Sequence, residues 1–194
     1  AWTILGLSAL PTDHPSNRGM VGMHGNYAPN LLTNQCDLLI AIGMRFDDRV
    51  TGDLNTYAKQ AKIIHLELDP AEVNKNVHAD VALLSDCKIS LRELNKHIKT
   101  KTYPEWIARF DALDKIEYEK VIESDLFPKK EGLTMGESVE MINKYSNNDA
   151  VIVTDVGQHQ MVACRYAKFS QSKSNVTSGG LGTMGFALPA AIGA

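Results

Sequence analysis

Three apolar, β-branched runs recur at short intervals in the first half of the chain. Cys36–Gly43 (CDLLIAIG) is the first, Lys62–Asp69 (KIIHLELD) the second and Asp80–Asp86 (DVALLSD) the third. The first shows almost no alternation of polar and apolar positions. That pattern predicts a strand buried on both faces, as in a parallel sheet covered by helices. Helix-competent segments, Tyr27–Gln35 and Pro70–Val77, lie between the runs. Lys88–Ile98 follows the third, with Ile89, Leu91, Leu94 and Ile98 at mostly helical spacing. Strand alternating with helix predicts an α/β sheet.

The second half changes character. Thr100 to about Glu131 is rich in Lys, Glu and Asp, with Tyr103, Trp106, Phe110, Leu113, Ile116 and Tyr118 interleaved. One amphipathic helix over Pro104–Glu123 is expected, then a connector at Pro128-Lys129-Lys130 that marks a domain boundary. Thr134–Tyr145 reads as a helix with Met135, Val139 and Ile142 as its apolar stripe. Ala150–Val156 reads as a further buried strand, running into a tight turn, Gly157-Gln158-His159-Gln160, that opens a helix. Asn175–Ser178 is a short strand leading into SGGLGTMGFALPAAIGA at 178–194. The last part of that stretch, Phe186–Ala194, predicts a buried apolar helix.

Composition narrows the class without naming it. The 194 residues, 44% hydrophobic and 22% charged, suit one or two globular domains. A net charge of -3 gives no electrostatic case for nucleic acid or an anionic membrane as partner. No apolar run is long enough to span a bilayer, and AWTILGLSALP at the start lacks a basic leader region. Cys36, Cys87 and Cys164 are widely spaced and odd in number, with neither disulfide-framework nor zinc spacing. A reducing cytoplasm is the expected compartment.

Ligands of doubly wound sheets bind beyond the carboxyl ends of the strands, so the residues after each run are the candidates for chemistry. Gly43-Met44-Arg45-Phe46-Asp47-Asp48-Arg49 follows the first. Its arginines suit phosphate and its aspartates suit ribose or ribityl hydroxyls. The alternative is a surface loop with local ion pairs. The second ends in Glu67-Leu68-Asp69-Pro70. Glu67 suits a ribose hydroxyl, while Asp69 and Pro70 suit a helix start. Ser85-Asp86 reads chiefly as a helix cap. Gly22-Met23-His24-Gly25-Asn26 is a glycine-flanked turn with a lone histidine. In the second half, Val156-Gly157-Gln158-His159 and the glycines of 179–185 form two strand-end turns, a pair suited to one extended ligand. The GxGxxG match at Gly180, Gly182 and Gly185 is a weak dinucleotide signal, and no zinc cluster, Walker loop or GxSxG elbow is present.

Together GMHGNYAPN (22–30), DLLIAIGMRFDDRVTG (37–52), KIIHLELDPAEVNKN (62–76), TDVGQHQM (154–161) and SGGLGTMGFALPAAIGA (178–194) resemble the thiamine diphosphate enzymes of the acetolactate synthase large-subunit type. The resemblance implies an α/β architecture of parallel sheets with flanking helices. Residues 1–100 would be the later part of a Rossmann-like central domain that holds FAD, 101–131 a helical linker, and 132–194 the opening of the diphosphate-binding domain. It implies FAD contacts at Met23, His24, Gly25 and Asn26, at Gly43, Met44, Arg45, Asp47 and Arg49, at Glu67 and Leu68, and at Asp86 and Cys87. Asn26 stands where many members have threonine. For thiamine diphosphate it implies Val156, Gly157, Gln158 and His159 near the diphosphate. Gly182, Thr183 and Met184 would lie along the aminopyrimidine and the bend of the cofactor.

The implied reaction decarboxylates pyruvate and condenses the remainder with a second pyruvate or 2-oxobutyrate, with FAD taking no net redox part. The implied assembly is a homo-oligomer, dimer or tetramer, with a possible small regulatory subunit. No catalytic or metal-binding residue is expected in this stretch. The activating glutamate belongs to an earlier domain of the family, and the Mg²⁺-binding segment would follow Ala194. The chain is therefore expected to be an internal fragment, inactive alone. The rival readings are another thiamine diphosphate carboligase or oxidase, or a non-catalytic FAD- or nucleotide-binding module.

Overall fold

The computed structural model describes residues 1–129 and 131–194, so Lys130 of the expected connector lies outside the described residues. In chain order the elements are α1 (Tyr27–Thr33), β1 (Leu38–Ile42), α2 (Asp48–Thr51), β2 (Lys62–Glu67), β3 (Val81–Leu84), α3 (Cys87–His97) and α4 (Pro104–Glu117). A five-residue π-helical turn (Tyr118–Ile122), α5 (Glu123–Leu126), α6 (Met135–Ser146), β4 (Ile152–Thr154), α7 (Gln158–Tyr166), β5 (Asn175–Thr177) and α8 (Ala187–Gly193) follow. They fall into two compact units, one of Asn30–Arg109 and one of Ala1–Pro29 with Phe110–Ala194.

In the Asn30–Arg109 unit, β1, β2 and β3 form a parallel sheet in that order, with Ile40 opposite Ile64 and Ile64 opposite Val81. The parallel α/β architecture is as expected. Its core gathers Ala41, Phe46, Tyr57, Ala58, Ile63 and Ala79. Asp80 fastens the start of β2, accepting from the Ile63 amide at 2.8 Å and from Lys62 Nζ at 2.9 Å.

Two expectations fail here. β1 is not buried on both faces: Ala41 is buried, but Leu38, Ile40 and Ile42 on the other face are exposed, as are Val81 and Leu83 of β3. The run is apolar on both sides, but no second layer covers that face among the described residues. Pro70–Val77 is a chain of turns rather than a helix. Asp69 accepts from the Ala71 amide at 2.9 Å. Asn74 adopts a left-handed φ of 60° and accepts from the Ala79 amide at 2.8 Å. The Asp69 bond is the cap a helix start would make, but the backbone turns left-handed at Asn74 and the helix is not continued.

In the other unit, β4 and β5 pair in parallel, Ile152 with Asn175 and Thr154 with Thr177. Leu7, Met20, Cys164, Ala167 and Phe169 form the core, with Trp2, Ile4, Val139 and Ile152 packed against it. α6 begins at Thr134, whose hydroxyl accepts from the Glu137 amide at 3.0 Å, and ends at Asn147 with a left-handed φ of 53°. Of its expected stripe only Val139 packs; Met135 and Ile142 are exposed. The helix seats itself instead through Gly136 and Asn143. A Cβ at Gly136 would stand 2.7 Å from the Asp125 carbonyl, and Asn143 donates to the Tyr166 carbonyl at 2.9 Å.

The strand expected over Ala150–Val156 is only three residues long and half-buried. α8, expected to be buried, exposes Leu188 and Ile192. The helix expected over Pro104–Glu123 is present, continued through the π-turn to Leu126, yet its fully buried residue is Glu117 rather than an apolar one.

Candidate functional site

The carboxyl edge of the three-stranded sheet gathers three of the stretches singled out above. Gly43 leaves β1 with φ 59° and donates its amide to the Leu66 carbonyl at 2.8 Å. A Cβ at Gly43 would lie 3.6 Å from the Cys87 thiol sulfur. Ser85 donates its amide to the Glu67 carbonyl at 3.1 Å. The Gly43–Arg49, Glu67–Leu68 and Asp86–Cys87 segments therefore share one edge.

Within the first segment, Asp47 caps the short α2, accepting from the Arg49 amide at 3.0 Å and from Arg45 Nε at 3.3 Å. Arg45 is exposed. Arg49 is also exposed, and its guanidinium has no ion pair among the described residues. The local-pair reading of this loop is thus met at Arg45 and Asp47, while Arg49 stands outside it.

Behind the loop stands a residue that sequence reasoning passed over. His65 is fully buried, its ring edge-on to Phe46 with centroids 5.0 Å apart. Its Nε2 is 2.8 Å from the Met44 carbonyl and 3.7 Å from Glu67 Oε2, and Nδ1 has no partner. With Nε2 carrying the proton, His65 ties the Met44 backbone to the strand that bears Glu67. Glu67 folds its Oε1 back onto the Leu68 and Asp69 amides, at 2.8 and 3.2 Å, which leaves Oε2 for a hydroxyl. Asp86 caps α3, accepting from the Lys88 amide at 2.9 Å and the Ile89 amide at 3.3 Å. Its carboxylate is committed to the fold.

Met23, His24, Gly25 and Asn26 form a turn in the other unit. Met23 is 61% exposed and His24 half-buried. Gly25 is required there, since a Cβ would stand 2.2 Å from the Met20 carbonyl oxygen. The Asn26 side chain accepts from the Met20 amide at 3.0 Å, and the Gly25 carbonyl accepts from Arg165 Nη1 at 2.9 Å. Arg165 also pairs with the buried Glu117, which accepts from the Tyr27 amide at 3.0 Å. Met20, Asn26, Glu117 and Arg165 line a cavity of about 250 Å³ that also touches Trp2, Arg18 and Asp114, while Met23, His24 and Gly25 lie outside its lining. Arg165 Nε is buried without a partner.

The two strand-end turns of this unit lie side by side because β4 and β5 are hydrogen-bonded neighbours. Gly157, at φ 154°, precedes the nine-residue α7 and supplies no side-chain cap to it. The amides of its first turn are left for an anion. A Cβ at Gly157 would crowd the His159 ring at 3.1 Å. Gln158 and His159 are exposed at that end. The second turn is closed by the Gly182 amide on the Ser178 carbonyl at 2.8 Å and the Thr183 amide on the Ser178 hydroxyl at 3.1 Å. It holds Met184 78% exposed. Below the turns, Thr154, Thr177 and Gln160 share a hydroxyl network at 2.7 to 3.1 Å.

A family model described as thiamine pyrophosphate enzyme, central domain, matches residues 1–94, and one for the C-terminal thiamine pyrophosphate-binding domain matches 155–194. The chain belongs to the thiamine pyrophosphate enzymes. Thiamine pyrophosphate is the diphosphate cofactor named above, and the second model begins at the β4 turn. Among curated relatives, this thiamine pyrophosphate enzyme chain is 43% identical over 197 residues to a probable acetolactate synthase large subunit of Methanocaldococcus jannaschii. It is 40% identical over 196 residues to the acetolactate synthase large subunit of Lactococcus lactis. It is 41% identical over 192 residues to the isozyme 2 large subunit of Escherichia coli. Each match covers 99% of this chain and 33 to 34% of the relative, so the chain spans about a third of their length.

No group of three or more His, Cys, Asp or Glu side chains able to hold a metal is present among the described residues. No described helix is long and apolar enough to cross a membrane.

Proposed function

We propose that this chain belongs to an acetolactate synthase large subunit, the enzyme that joins two 2-oxo acids with loss of CO2. In this reading pyruvate is the donor, and pyruvate or 2-oxobutyrate the acceptor, on the route to the branched-chain amino acids valine and isoleucine. The observation that carries it is the adjacency of the two strand-end turns, in a chain about 40% identical over nearly its whole length to large subunits of that name. Residues 1–100 are the later part of the central domain, 101–131 the linker and 132–194 the opening of the diphosphate-binding domain.

The residues fit thiamine pyrophosphate. The uncapped amides of α7, with Val156, Gly157, Gln158 and His159, suit the diphosphate, and Gly157 leaves room that a side chain would fill. Gly182, Thr183 and Met184 form the neighbouring wall. When bound, thiamine pyrophosphate supplies the carbanion chemistry of decarboxylation and carboligation. The protein's part here is to hold the diphosphate at a helix N-terminus and to present the Met184 side chain to the bend of the cofactor.

The residues also fit FAD at the sheet edge. Arg49 is an unpaired cation for phosphate, Glu67 Oε2 an acceptor for a ribose hydroxyl, and the Gly43 backbone allows close approach. Met44, Arg45, Asp47, Leu68, Asp86 and Cys87 complete this wall; the further FAD contacts assigned to Met23, His24, Gly25 and Asn26 belong to the other unit. For Mg²⁺ the described residues do not form a centre, and no step is assigned to it. The enzyme is read as cytoplasmic and homo-oligomeric, with a small regulatory subunit as its partner.

The test is the full native polypeptide incubated with pyruvate, thiamine pyrophosphate, Mg²⁺ and FAD. Formation of acetolactate, lost when thiamine pyrophosphate is withheld, is expected. Conversion of pyruvate to acetyl phosphate or acetate with no acetolactate refutes the assignment in favour of an oxidase.

A further inference from the structure

Asp155 is the first residue beyond the paired part of β4, where the two strands part and the two turns begin. Its Oδ1 accepts from the Ala187 amide, thirty-two positions away, at 2.7 Å. The Gly185 and Phe186 amides bear on the same carboxylate, and so does the His159 ring. Phe186, at the N-cap of α8, has no side-chain acceptor of its own. The helix that follows the second turn is therefore capped from the strand that precedes the first. A local cap would fix only the start of α8. This one ties together two turns that, among the described residues, are otherwise bridged by side chains only through the Thr154–Thr177–Gln160 network below them.

We infer that Asp155 is a positioning residue that clasps the Gly182–Met184 turn to the Val156–His159 turn and so sets the gap that receives thiamine pyrophosphate. The inference rests on the reading of those turns as the two halves of one cofactor site. A carboxylate beside a diphosphate would by itself repel it. The geometry answers this by spending the charge on backbone amides, the Ala187 amide foremost, then those of Gly185 and Phe186. The same contacts hold the Asp155 carboxyl below its usual pKa, against a smaller opposing effect of burial. Asp155 thus stays charged, committed to the clasp and unavailable as a proton donor.

The experiment compares wild type, D155N and D155A in the full native polypeptide. Binding of thiamine pyrophosphate with Mg²⁺ and binding of FAD are measured by titration calorimetry, and amide exchange is followed at residues 185–187. D155A is expected to weaken thiamine pyrophosphate binding about ten- to a hundredfold, the scale of misplacing a positioning group. FAD binding stays within about twofold, and the Ala187 amide loses its protection. D155N keeps one acceptor oxygen and loses the charge, so about a fivefold loss is expected. If D155A does not fold, D155N carries the comparison. Variants that bind thiamine pyrophosphate as tightly as wild type, or more tightly, overturn the inference. So does equal weakening of both cofactors, the mark of a general loss of structure. A wild type that binds no thiamine pyrophosphate overturns the site reading itself, and the inference with it.

Discussion

Glu117 is the sharpest stability test in the chain, because it is a carboxylate with 4% side-chain exposure. It holds two things at once: the Arg165 guanidinium, and the Tyr27 amide at 3.0 Å. E117A removes both acceptor oxygens. Arg165, whose side chain is 19% exposed, is left without its counter-ion, and the Tyr27 N–H without an acceptor. Breaking one side of a buried pair costs about 3–5 kcal/mol. The adjoining cavity of about 250 Å³ is large and polar enough for water to reach the orphaned groups, so the lower end, about 3 kcal/mol, is expected. For a chain of this size that corresponds to roughly 6–12 °C in melting temperature. E117Q keeps the acceptor for Tyr27 and loses the charge, an expected cost of about 1 kcal/mol. The double replacement E117L/R165M should be far less damaging than E117A, since no buried charge is left unpaired.

The assay is urea unfolding followed by tryptophan fluorescence. The protein has two tryptophans, Trp2 and Trp106. Trp2 packs against the Leu7–Phe169 core and lines the cavity, so W106F makes the signal report on that unit. A double-mutant cycle over Glu117 and Arg165 should give strong coupling. Additive losses, with the double variant as unstable as the two singles combined, would refute the account of Glu117 as a charge kept in place by its partner.

G25A should destabilise this unit by about 3 kcal/mol or more, because the added methyl meets the Met20 backbone, which cannot yield as a side chain would; chemical unfolding measures it. The Tyr166 hydroxyl is pushed up from 10.0 to about 12, first by burial and then by its hydrogen bond to Asp125. A raised folded pKa means stability fully present below pH 10 and lost as pH rises towards 12; Y166F should flatten that part of the alkaline unfolding curve. The buried Cys164 thiol is likewise pushed up to about 12, from 9.0, by burial. At pH 8 it should react with a thiol reagent only at the rate of unfolding, after Cys36 and Cys87, and fast labelling of all three would count against the packing described. R49M should weaken FAD binding about tenfold while leaving the melting temperature unchanged, since its guanidinium has no ion pair to lose.

What the chain declares about itself follows a physical division. Alternation of apolar runs with helical segments is a backbone-scale property, and it located β1, β2, β3 and α3 to within a few residues. The glycine-rich strand ends were legible for the same reason, since few residues other than glycine tolerate such turns. The run at Leu38–Ile42 shows where that reading stops: a sequence records that both faces of a strand are apolar, not what covers them. At Pro70–Val77 the residue types permit a helix and Asp69 makes the cap it would need, but the left-handed backbone at Asn74, whose side chain takes the Ala79 amide, ends it.

The residues that escaped notice act across long separations. Glu117 reaches Arg165 forty-eight positions on, Asp155 reaches Ala187 thirty-two positions on, and His65 reaches back to Met44. None carries a local motif. Asp155 did carry one usable signal, an acidic side chain just past a strand end. That is close to the pattern that singled out Glu67, the last residue of β2. Applied evenly to β4, it would have raised Asp155 as a ligand acceptor. The structure commits its Oδ1 to the Ala187 amide instead, while Glu67 keeps Oε2 free of amides. One sequence pattern therefore serves two purposes in this fold, told apart by where the accepted amides lie: the next two residues for Glu67, thirty-two positions on for Asp155.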